Sequence, residues 1–170
     1  MREEIQYLDH AEANELGNVS EVLVRVNRCS AVVKGGRRFS FSALSVAGNR
    51  DGVVGCGFGK ARQVPPAIEK AAKDARKHLM RVPLTAAGSI PHEVTGEFCG
   101  AVIRMVPASE GTGIIAGAAV RAVCEMAGIK NILTKAYGST NPINLTKATI
   151  DALAQLRTRD QVAELRGVEL

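Results

Sequence analysis

The 170-residue sequence contains no tryptophan, few other aromatic residues and no closely spaced cysteines. Its four cysteines are scattered without a CxxC pattern and its three histidines stand singly, so no metal site is expected. Each cysteine lies in an apolar stretch, which predicts buried, reduced thiols. No apolar run approaches the length of a membrane span, and the acidic N-terminal stretch has no apolar signal core. These absences predict a soluble cytoplasmic protein without a membrane partner.

The motifs of common enzyme classes are also missing. The sequence has no GxSxG, no histidine beside a plausible nucleophile and no pair of carboxylates in a glycine-rich segment. The segment from Gly55 to Lys60 does not match a phosphate-binding P-loop, because Val54 and Ala61 occupy two required positions. Its glycines either admit another backbone close to the sheet or mark a twisted or bulged strand. We therefore expect no catalysis, no cofactor and no small-molecule substrate.

The chain does carry a concentrated positive charge. Residues 1–21 contain one basic and six acidic side chains, residues 22–85 contain 13 basic and three acidic ones, and residues 86–170 contain eight of each. A local excess of this size favours a polyanionic partner over a basic face kept only for solubility. Because Phe39, Phe41 and Phe58 fit a core, we expect recognition of phosphates and of RNA shape rather than base stacking.

Apolar periodicity predicts an α+β chain of two small units. In the first unit (22–85), three antiparallel strands precede a basic helix that opens at Pro65 and carries an apolar stripe as far as Leu79. This order of elements resembles that of the double-stranded-RNA-binding domain. Residues 1–21, which precede the first unit, are expected to form an acidic extension that is frayed or contains a short helix.

The second unit (86–160) is predicted to mix strands and helices and to end in a short tail at 161–170. A strand pair is expected to turn at Gly96-Glu97, and a helix is expected over Ile114–Met126 with Gly128 as its C-cap. A strand then leads to a helix that begins at Asn141-Pro142 and ends near Leu156.

Basic residues of the first unit are the first candidates for RNA contacts. The segment from Lys34 to Arg38 is predicted to be a mobile basic loop able to follow a phosphate backbone. The other candidates in this segment are Gly35, Gly36 and Arg37, and those predicted on the strands and the helix are Arg25, Arg28, Lys60, Arg62, Lys70, Lys73, Arg76 and Lys77. Neutralising six to ten phosphates would lower the affinity by roughly 10³–10⁵ between 50 and 200 mM salt.

A second glycine-rich segment, Gly111 to Gly117, joins a predicted strand to a helix N-terminus, a place that favours a phosphate. A dinucleotide fold would need an acidic residue near Asn131, and none is present. An RNA phosphate fits this loop better, which predicts contacts at Ser109, Gly111 and Thr112. Helix–strand packing alone accounts for Gly117.

Five ordered segments resemble the bacterial small-subunit ribosomal protein five family. They span nearly the whole chain from Val22 to Arg166: Val26-Asn-Arg-Cys-Ser-Ala-Val-Val-Lys-Gly-Gly-Arg, Phe39-Ser-Phe, Gly55-Cys-Gly-Phe-Gly-Lys-Ala-Arg, Pro107-Ala-Ser-Glu-Gly-Thr-Gly-Ile-Ile-Ala-Gly and Lys135-Ala-Tyr-Gly-Ser-Thr-Asn-Pro-Ile-Asn. The resemblance implies a double-stranded-RNA-binding-like first unit. It also implies a two-layer α/β sandwich with a left-handed crossover as the second unit, against the usual handedness.

The same resemblance implies a function in the small ribosomal subunit. It places the protein on small-subunit rRNA near the decoding region and the mRNA entry path, beside small-subunit ribosomal proteins four and eight, where it supports accuracy. The loop from Lys34 to Arg38 would lie near the spectinomycin site, although Ala31 stands where the family often has Lys. Gly113 and Arg121 would face protein four. Further RNA contacts are expected in the last segment, at Lys135, Ser139, Thr140 and Asn141.

Two other functions are compatible with the sequence. One is a stand-alone regulator or ribosome assembly factor that binds structured RNA and leaves mature subunits. The other is a nucleotide-dependent enzyme that uses the loop between Gly111 and Gly117. The expected function is a non-catalytic rRNA-binding component of the ribosome.

Overall fold

The computed structural model describes residues 5–9, 12 and 19–167 and arranges them in two four-stranded sheets with helices. The first sheet is antiparallel and has the order β1–β2–β3–β4. Its strands are β1 (Ser20–Val33), β2 (Gly36–Gly48), β3 (Val53–Ala61) and β4 (Leu79–Arg81). Three of these strands were predicted. The fourth was missed because Leu79, which was assigned to the helix stripe, pairs with Gly55 instead.

Helix α1 (Val64–Lys77) packs on one face of this sheet and meets it through small residues. Its buried positions are all alanines, and they lie over the glycines of β3. A Cβ on Gly57 would lie 2.1 Å from the backbone nitrogen of Ala75, and one on Gly59 would lie 2.3 Å from the carbonyl oxygen of Ala67. The glycines therefore admit another backbone close to the sheet, which is the first of the two interpretations offered by the sequence.

The second sheet has the order β5–β6–β8–β7. Its strands are β5 (Val94–Phe98), β6 (Ala101–Pro107), β7 (Ile114–Ile115) and β8 (Ile132–Gly138), and only the β7–β8 pair is parallel. The helices of this half are α2 (Ala118–Ala127), α3 (Pro142–Ala154) and α4 (Arg159–Arg166). Helix α3 packs on β5 and β6, and α2 packs on α3. The α+β class is thus confirmed, while the left-handed sense of the β7–α2–β8 crossover stays a prediction.

The predicted turn of the first strand pair in this half is wrong. The strands β5 and β6 turn at Cys99-Gly100, and Cys99 has a positive φ of 52°. Gly96 lies inside β5, where a Cβ would be 2.2 Å from the carbonyl oxygen of Ala148 on α3. That glycine therefore serves the close approach of a helix rather than a turn.

The predicted start of the next helix is also wrong. Ile114 and Ile115 pair with Ile132 and Leu133 as the short parallel strand β7, so α2 begins only at Ala118. Both isoleucines are apolar and fit either a helix or a strand, and the tertiary pairing decides between the two.

The two halves share one cluster of buried residues. Val46 of β2, Met80 of β4 and Met105 of β6 belong to it together with Val123 and Met126 of α2. Helix α2 packs against β1, β2 and β3 of the first sheet as well as against α3. The tandem units predicted from the sequence are therefore joined by a common core.

The β2–β3 turn forms a joint with the C-terminus of α2. The backbone N–H groups of Arg50 and Gly52 donate to the carbonyl oxygens of Met126 and Ala127, each over 2.9 Å. Helix C-termini leave such carbonyls without intrahelical partners. Gly128 ends the helix with a φ of +87°, as its predicted C-cap role requires. The turn of the first half therefore completes the last turn of a helix in the second.

Residues 5–9 lie against the body of the protein, in contrast to the frayed extension that was predicted. The backbone N–H of Leu8 donates to the carbonyl oxygen of Leu79 over 2.8 Å, and the Tyr7 ring meets the ring of His78 edge-on. Burial raises the pKa of the Tyr7 hydroxyl. Of the rest of the acidic extension only residues 12 and 19–21 are described, so the stretch in which a short helix was predicted lies largely outside the described residues.

The cysteines do not share the buried environment that was predicted. Cys124 is fully buried, Cys29 and Cys56 are half-buried, and Cys99 is exposed at the β5–β6 turn. The apolar neighbours of Cys99 in sequence lie on strands, whereas the residue itself occupies the turn. None of the helices in the described part of the chain is long and apolar enough to cross a bilayer.

Candidate nucleic-acid interface

The basic segment of the first half lies at the tip of a long β-hairpin. The strands β1 and β2 stay paired almost to their ends, so only Lys34 and Gly35 form the turn. Gly35 has a φ of +105°, a conformation that favours glycine. The prediction of a mobile loop is wrong here, because Arg37 and Arg38 belong to β2. Successive strand residues point to opposite faces, so the two guanidinium groups lie on opposite sides of the ribbon.

This hairpin extends beyond helix α1. Every residue from 30 to 39 is exposed, whereas Phe41 still packs beside α1. At about 3.3 Å per residue, the tip at Gly35 projects about 20 Å past that contact. A Cβ added to Gly36 would meet nothing within 4 Å. The ribbon is therefore an arm with two accessible faces.

The two arginines of β1 face opposite sides of the sheet. A β-bulge before Arg25 places it directly opposite Leu44, and its Nε donates to Oδ1 of Asn27 over 3.1 Å. Arg28 lies on the other face, with its guanidinium 4.7 Å from the centroid of the Phe39 ring. The predicted RNA contacts of this strand therefore belong to two different surfaces.

Helix α1 and the end of β3 carry the remaining cations of this half. The side chains of Lys70, Lys73, Arg76 and Lys77 are all exposed, as are those of Lys60 and Arg62. Nζ of Lys70 donates to the carbonyl oxygen of Lys60 over 3.5 Å, which brings the helix and strand cations together. Nε of Arg76 donates to Oε1 of Glu21 over 2.8 Å. Arg76 thus also ties α1 to β1, a role that sequence reasoning missed.

In the second half, the buried side chain of Asn131 holds the segment after β6. Its Oδ1 accepts from the backbone N–H of Gly113 over 3.1 Å, and its Nδ2 donates to the carbonyl oxygen of Ala87 over 3.1 Å. The backbone N–H of Ile132 donates to the carbonyl oxygen of Gly113. The sequence drew attention to Asn131 only because it is not acidic. Its amide is what fixes the loop.

The outer side of this loop is open. The hydroxyl oxygens of Ser109 and Thr112 lie 3.5 Å apart, and Gly111 is exposed with a φ of +88°. A Cβ at Gly111, Gly113 or Gly117 would meet nothing within 4 Å. Helix–strand packing therefore does not account for Gly117, and that prediction is wrong.

Strand β7 separates this loop from the N-terminus of α2. The predicted direct passage from loop to helix, which favoured a phosphate at the first turn, is therefore absent. Arg121 on α2 is exposed, and its Nη2 donates to the carbonyl oxygen of Ile114 on β7 over 3.1 Å. Arg121 and the glycines before it consequently lie on one accessible side of the second half.

Lys135 lies on the open face of the second sheet. It stands opposite Arg104 of β6, and both side chains are exposed. Nε of Arg104 is hydrogen-bonded to a carboxylate oxygen of Glu93, and this bond lowers the pKa of Glu93. The pair of cations is thus balanced in part by Glu93.

In the turn before α3, side chains accept hydrogen bonds from backbone N–H groups of the same segment. Oδ1 of Asn141 accepts from the backbone N–H of Ile143 over 3.3 Å, which makes Asn141 the N-cap and confirms the predicted start of the helix. Oγ of Ser139 accepts from the backbone N–H of Asn141 over 3.3 Å. Thr140 is exposed between them. These bonds give the predicted contact residues of this turn a fixed conformation.

Two of the three phenylalanines predicted for the core are exposed instead. Phe39 is 49% exposed and Phe58 is 43% exposed, whereas Phe41 is half-buried near α1. Phe58 alternates with Gly57 and Gly59, and it is the glycines that face the helix. The argument against base stacking rested in part on these rings being buried, and that part does not hold for Phe39 and Phe58.

No group of three or more His, Cys, Asp or Glu side chains suited to a metal ion occurs within residues 5–9, 12 and 19–167. The surfaces described above carry exposed cations, glycines and aromatic rings. Such a combination is suited to phosphate and RNA recognition.

Comparisons with known proteins agree with this chemistry. Residues 19–83 match the N-terminal domain of ribosomal protein S5, and residues 96–166 match its C-terminal domain. The chain is 58% identical over 146 residues to the small ribosomal subunit protein uS5 of Rhodopirellula baltica, covering 86% of this chain and 82% of that protein. It is 53% identical over 159 residues to the protein of the same name from Shewanella oneidensis, covering 94% of this chain and 95% of that protein. The chain therefore belongs to the ribosomal protein S5 family of the small ribosomal subunit.

Proposed function

We propose that this small-subunit ribosomal protein holds folded rRNA near the decoding region and the mRNA entry path, without catalysing a reaction. The observation that carries the proposal is the exposed hairpin arm, whose tip bears Lys34, Arg37 and Arg38 on both faces of a two-stranded ribbon. A ribbon with cations on both sides can contact two RNA segments at once. Side chains of this kind replace counterions on closely packed phosphates.

The rest of the first half extends the proposed RNA surface. Lys60, Arg62 and Lys70 lie together where β3 ends near α1. Lys73 and Lys77 add exposed charge on the same helix. Recognition here depends on phosphate positions and on the shape of the RNA. The affinity should therefore fall steeply with salt.

The second half is proposed to dock on neighbouring proteins. Its open side, which includes Gly113 and Arg121, supports a contact with small-subunit ribosomal protein four, and protein eight is the other proposed neighbour. In this proposal residues 22–85 bind RNA, residues 86–160 bind proteins and contribute RNA contacts, and the two share a core. Different contacts in the open and closed states of the subunit would then bias decoding and support accuracy.

The test reverses the charge at the tip of the arm. The double variant R37E/R38E should lose stoichiometric sedimentation with the small subunit at physiological salt, because two cations become anions beside rRNA. The matched control R159E/R166E changes the net charge equally on α4 and should still sediment with the subunit. If R37E/R38E is incorporated as well as the wild type, the role of the arm is wrong.

The same sedimentation experiment distinguishes a structural ribosomal component from the main alternative, a stand-alone regulator or assembly factor. A structural component follows the small subunit through a high-salt gradient. A regulator or assembly factor would migrate at the top or only with immature particles. Wild-type protein found only in those two places would overturn the proposal.

A further inference from the structure

Phe58 lies on a face of the first sheet that also carries two exposed basic residues, Arg25 and Lys60. The strand register sets out two neighbouring rows of residues across this face: Arg25, Leu44 and Phe58 in one row, and Asn27, Ser42 and Lys60 in the next. Leu44 is 3% exposed, whereas Phe58 is 43% exposed. The ring therefore stands beside a buried aliphatic side chain and keeps a large part of its surface free.

Phe58 is exposed because the part of this face that α2 covers ends before it. Val54 and Cys56, earlier on the same side of β3, pack in the cluster that α2 covers. Burial accordingly raises the pKa of the Cys56 thiol. Phe58 is the next residue on that side and lies outside the cluster. Gly57 and Gly59 face α1 instead.

The backbone at Phe58 is closed to strand addition. Strand β4 pairs with β3 only as far as Gly55, so among the described residues no strand pairs with the edge beyond it. The backbone N–H of Phe58 donates to Oδ2 of Asp74 on α1 over 2.9 Å. A carboxylate that occupies an edge N–H blocks pairing with another strand. The accessible part of this residue is consequently its ring.

The two cations on the same face as the Phe58 ring indicate the chemistry of the partner. Arg25 is fixed on this face by the β-bulge and by its bond to Asn27, and Lys60 follows Phe58 on β3. An exposed aromatic ring with cations on the same face matches an unpaired base with its neighbouring phosphates. A purely apolar protein partner would leave both charges without a counterpart.

We propose that Phe58 is a stacking platform for an unpaired base of the rRNA, with Arg25 and Lys60 contacting the phosphates beside it. This inference rests on the proposed function, namely that the protein binds rRNA. It adds an aromatic contact to a surface otherwise described by charge. It also assigns to this face a recognition of single-stranded RNA that was not expected from the sequence.

The absence of tryptophan from the chain allows a direct test. In the variant F58W the only tryptophan would sit at the proposed platform, where a stacked base quenches its fluorescence. Full-length small-subunit rRNA and a ten-nucleotide oligoadenylate should both quench the emission, whereas a blunt RNA duplex, whose bases are already stacked, should not. The control L165W places the fluorophore at an exposed position on α4 and should not respond.

Affinity measurements separate stacking from charge. F58L should weaken rRNA binding by about fivefold to 150-fold at both 50 and 200 mM salt, because stacking does not release counterions. K60Q should lower the slope of log affinity against log salt by about one unit. L165A is the control for loss of an exposed apolar side chain and should bind normally. Circular dichroism should show that all five variants, F58W and L165W included, fold.

The outcomes distinguish this inference from the proposed function. If F58W binds labelled rRNA and its emission does not change, the stacking site is wrong and the rRNA-binding function stands. A blue shift without quenching on addition of ribosomal proteins would assign the face to a protein contact and also overturn the inference. If no form of the protein binds rRNA, the proposed function fails and the inference fails with it.

Discussion

Single polar side chains that accept from backbone N–H groups shape much of this molecule. Asp74 on α1 accepts from Phe58 on β3, and Asp151 on α3 accepts from Glu97 on β5 over 3.0 Å. Each carboxylate thus occupies an N–H at a sheet edge, in two sheets of different topology. Unprotected edges are sites of unwanted strand pairing. Asn131 acts in the same manner on the loop after β6.

The four cysteines should differ in reactivity at pH 8. Burial raises the pKa of Cys124 to about 12, so almost no thiolate forms there, whereas Cys99 is exposed. Iodoacetamide should therefore label Cys99 first and leave Cys124 unlabelled in the native protein. Peptide mass spectrometry measures the sites, and labelling of all four cysteines in concentrated urea is the control. Equal rates at Cys99 and Cys124 in the native state would contradict the structure.

At the scale of elements, the sequence predicted what local patterns determine. Alternation located β1 to β3, and the proline and asparagine signals located the starts of α1 and α3. Prediction from the sequence failed where contacts between residues far apart in the chain determine the structure. Ile114 and Ile115 become a strand because β8 lies beside them, and Gly96 lies within a strand because α3 approaches it. No local pattern contains this information.

The same limit applied to the candidate site. The basic residues were found from composition because charge remains exposed in almost any fold. Phe58 was assigned to the core because the sequence alone cannot tell which side of β3 the helix will cover. Arg37 and Arg38 were assigned to a loop because the strand pairing that continues to the turn has no clear signal in a basic, glycine-rich segment.

Contact between α1 and the glycines of β3 predicts the effect of one added methyl group. In G57A the new Cβ would overlap the backbone of Ala71 and Ala75, so the free energy of unfolding should fall by about 1–3 kcal/mol or more. The matched control is G36A, where a Cβ meets nothing and φ is not positive. That variant should be neutral or slightly more stable. Urea unfolding followed by circular dichroism measures both, and equal stabilities would contradict the packing.

At the scale of the whole molecule, a shared core and the joint between the β2–β3 turn and α2 connect the two halves. Val46 and Met80 from the first half are buried in one cluster with Ile103 and Met126 from the second. The β2–β3 turn also bonds to the end of α2. RNA held by the arm and proteins held near Arg121 would therefore act on a single rigid body.

A variant at the joint should destabilise both sheets together. In G128A the new Cβ would lie 2.2 Å from the carbonyl oxygen of Arg50, in addition to the strain of a φ of +87°. The control G167A imposes similar strain at the C-cap of α4, where a Cβ meets nothing within 4 Å. G128A should therefore lower the free energy of unfolding by about 1–3 kcal/mol more than G167A does.

Hydrogen exchange measured by mass spectrometry shows which strands lose stability in G128A. If the halves unfold as one unit, the most protected amides of β2 and β6 should lose protection by the same factor in G128A, since both exchange through global unfolding. G167A should leave both strands nearly unchanged, because α4 buries none of its residues. A loss confined to β6 would mean that the second half unfolds alone. The joint would then hold two separately stable domains together, and the rigid-body coupling of RNA and protein contacts would be wrong.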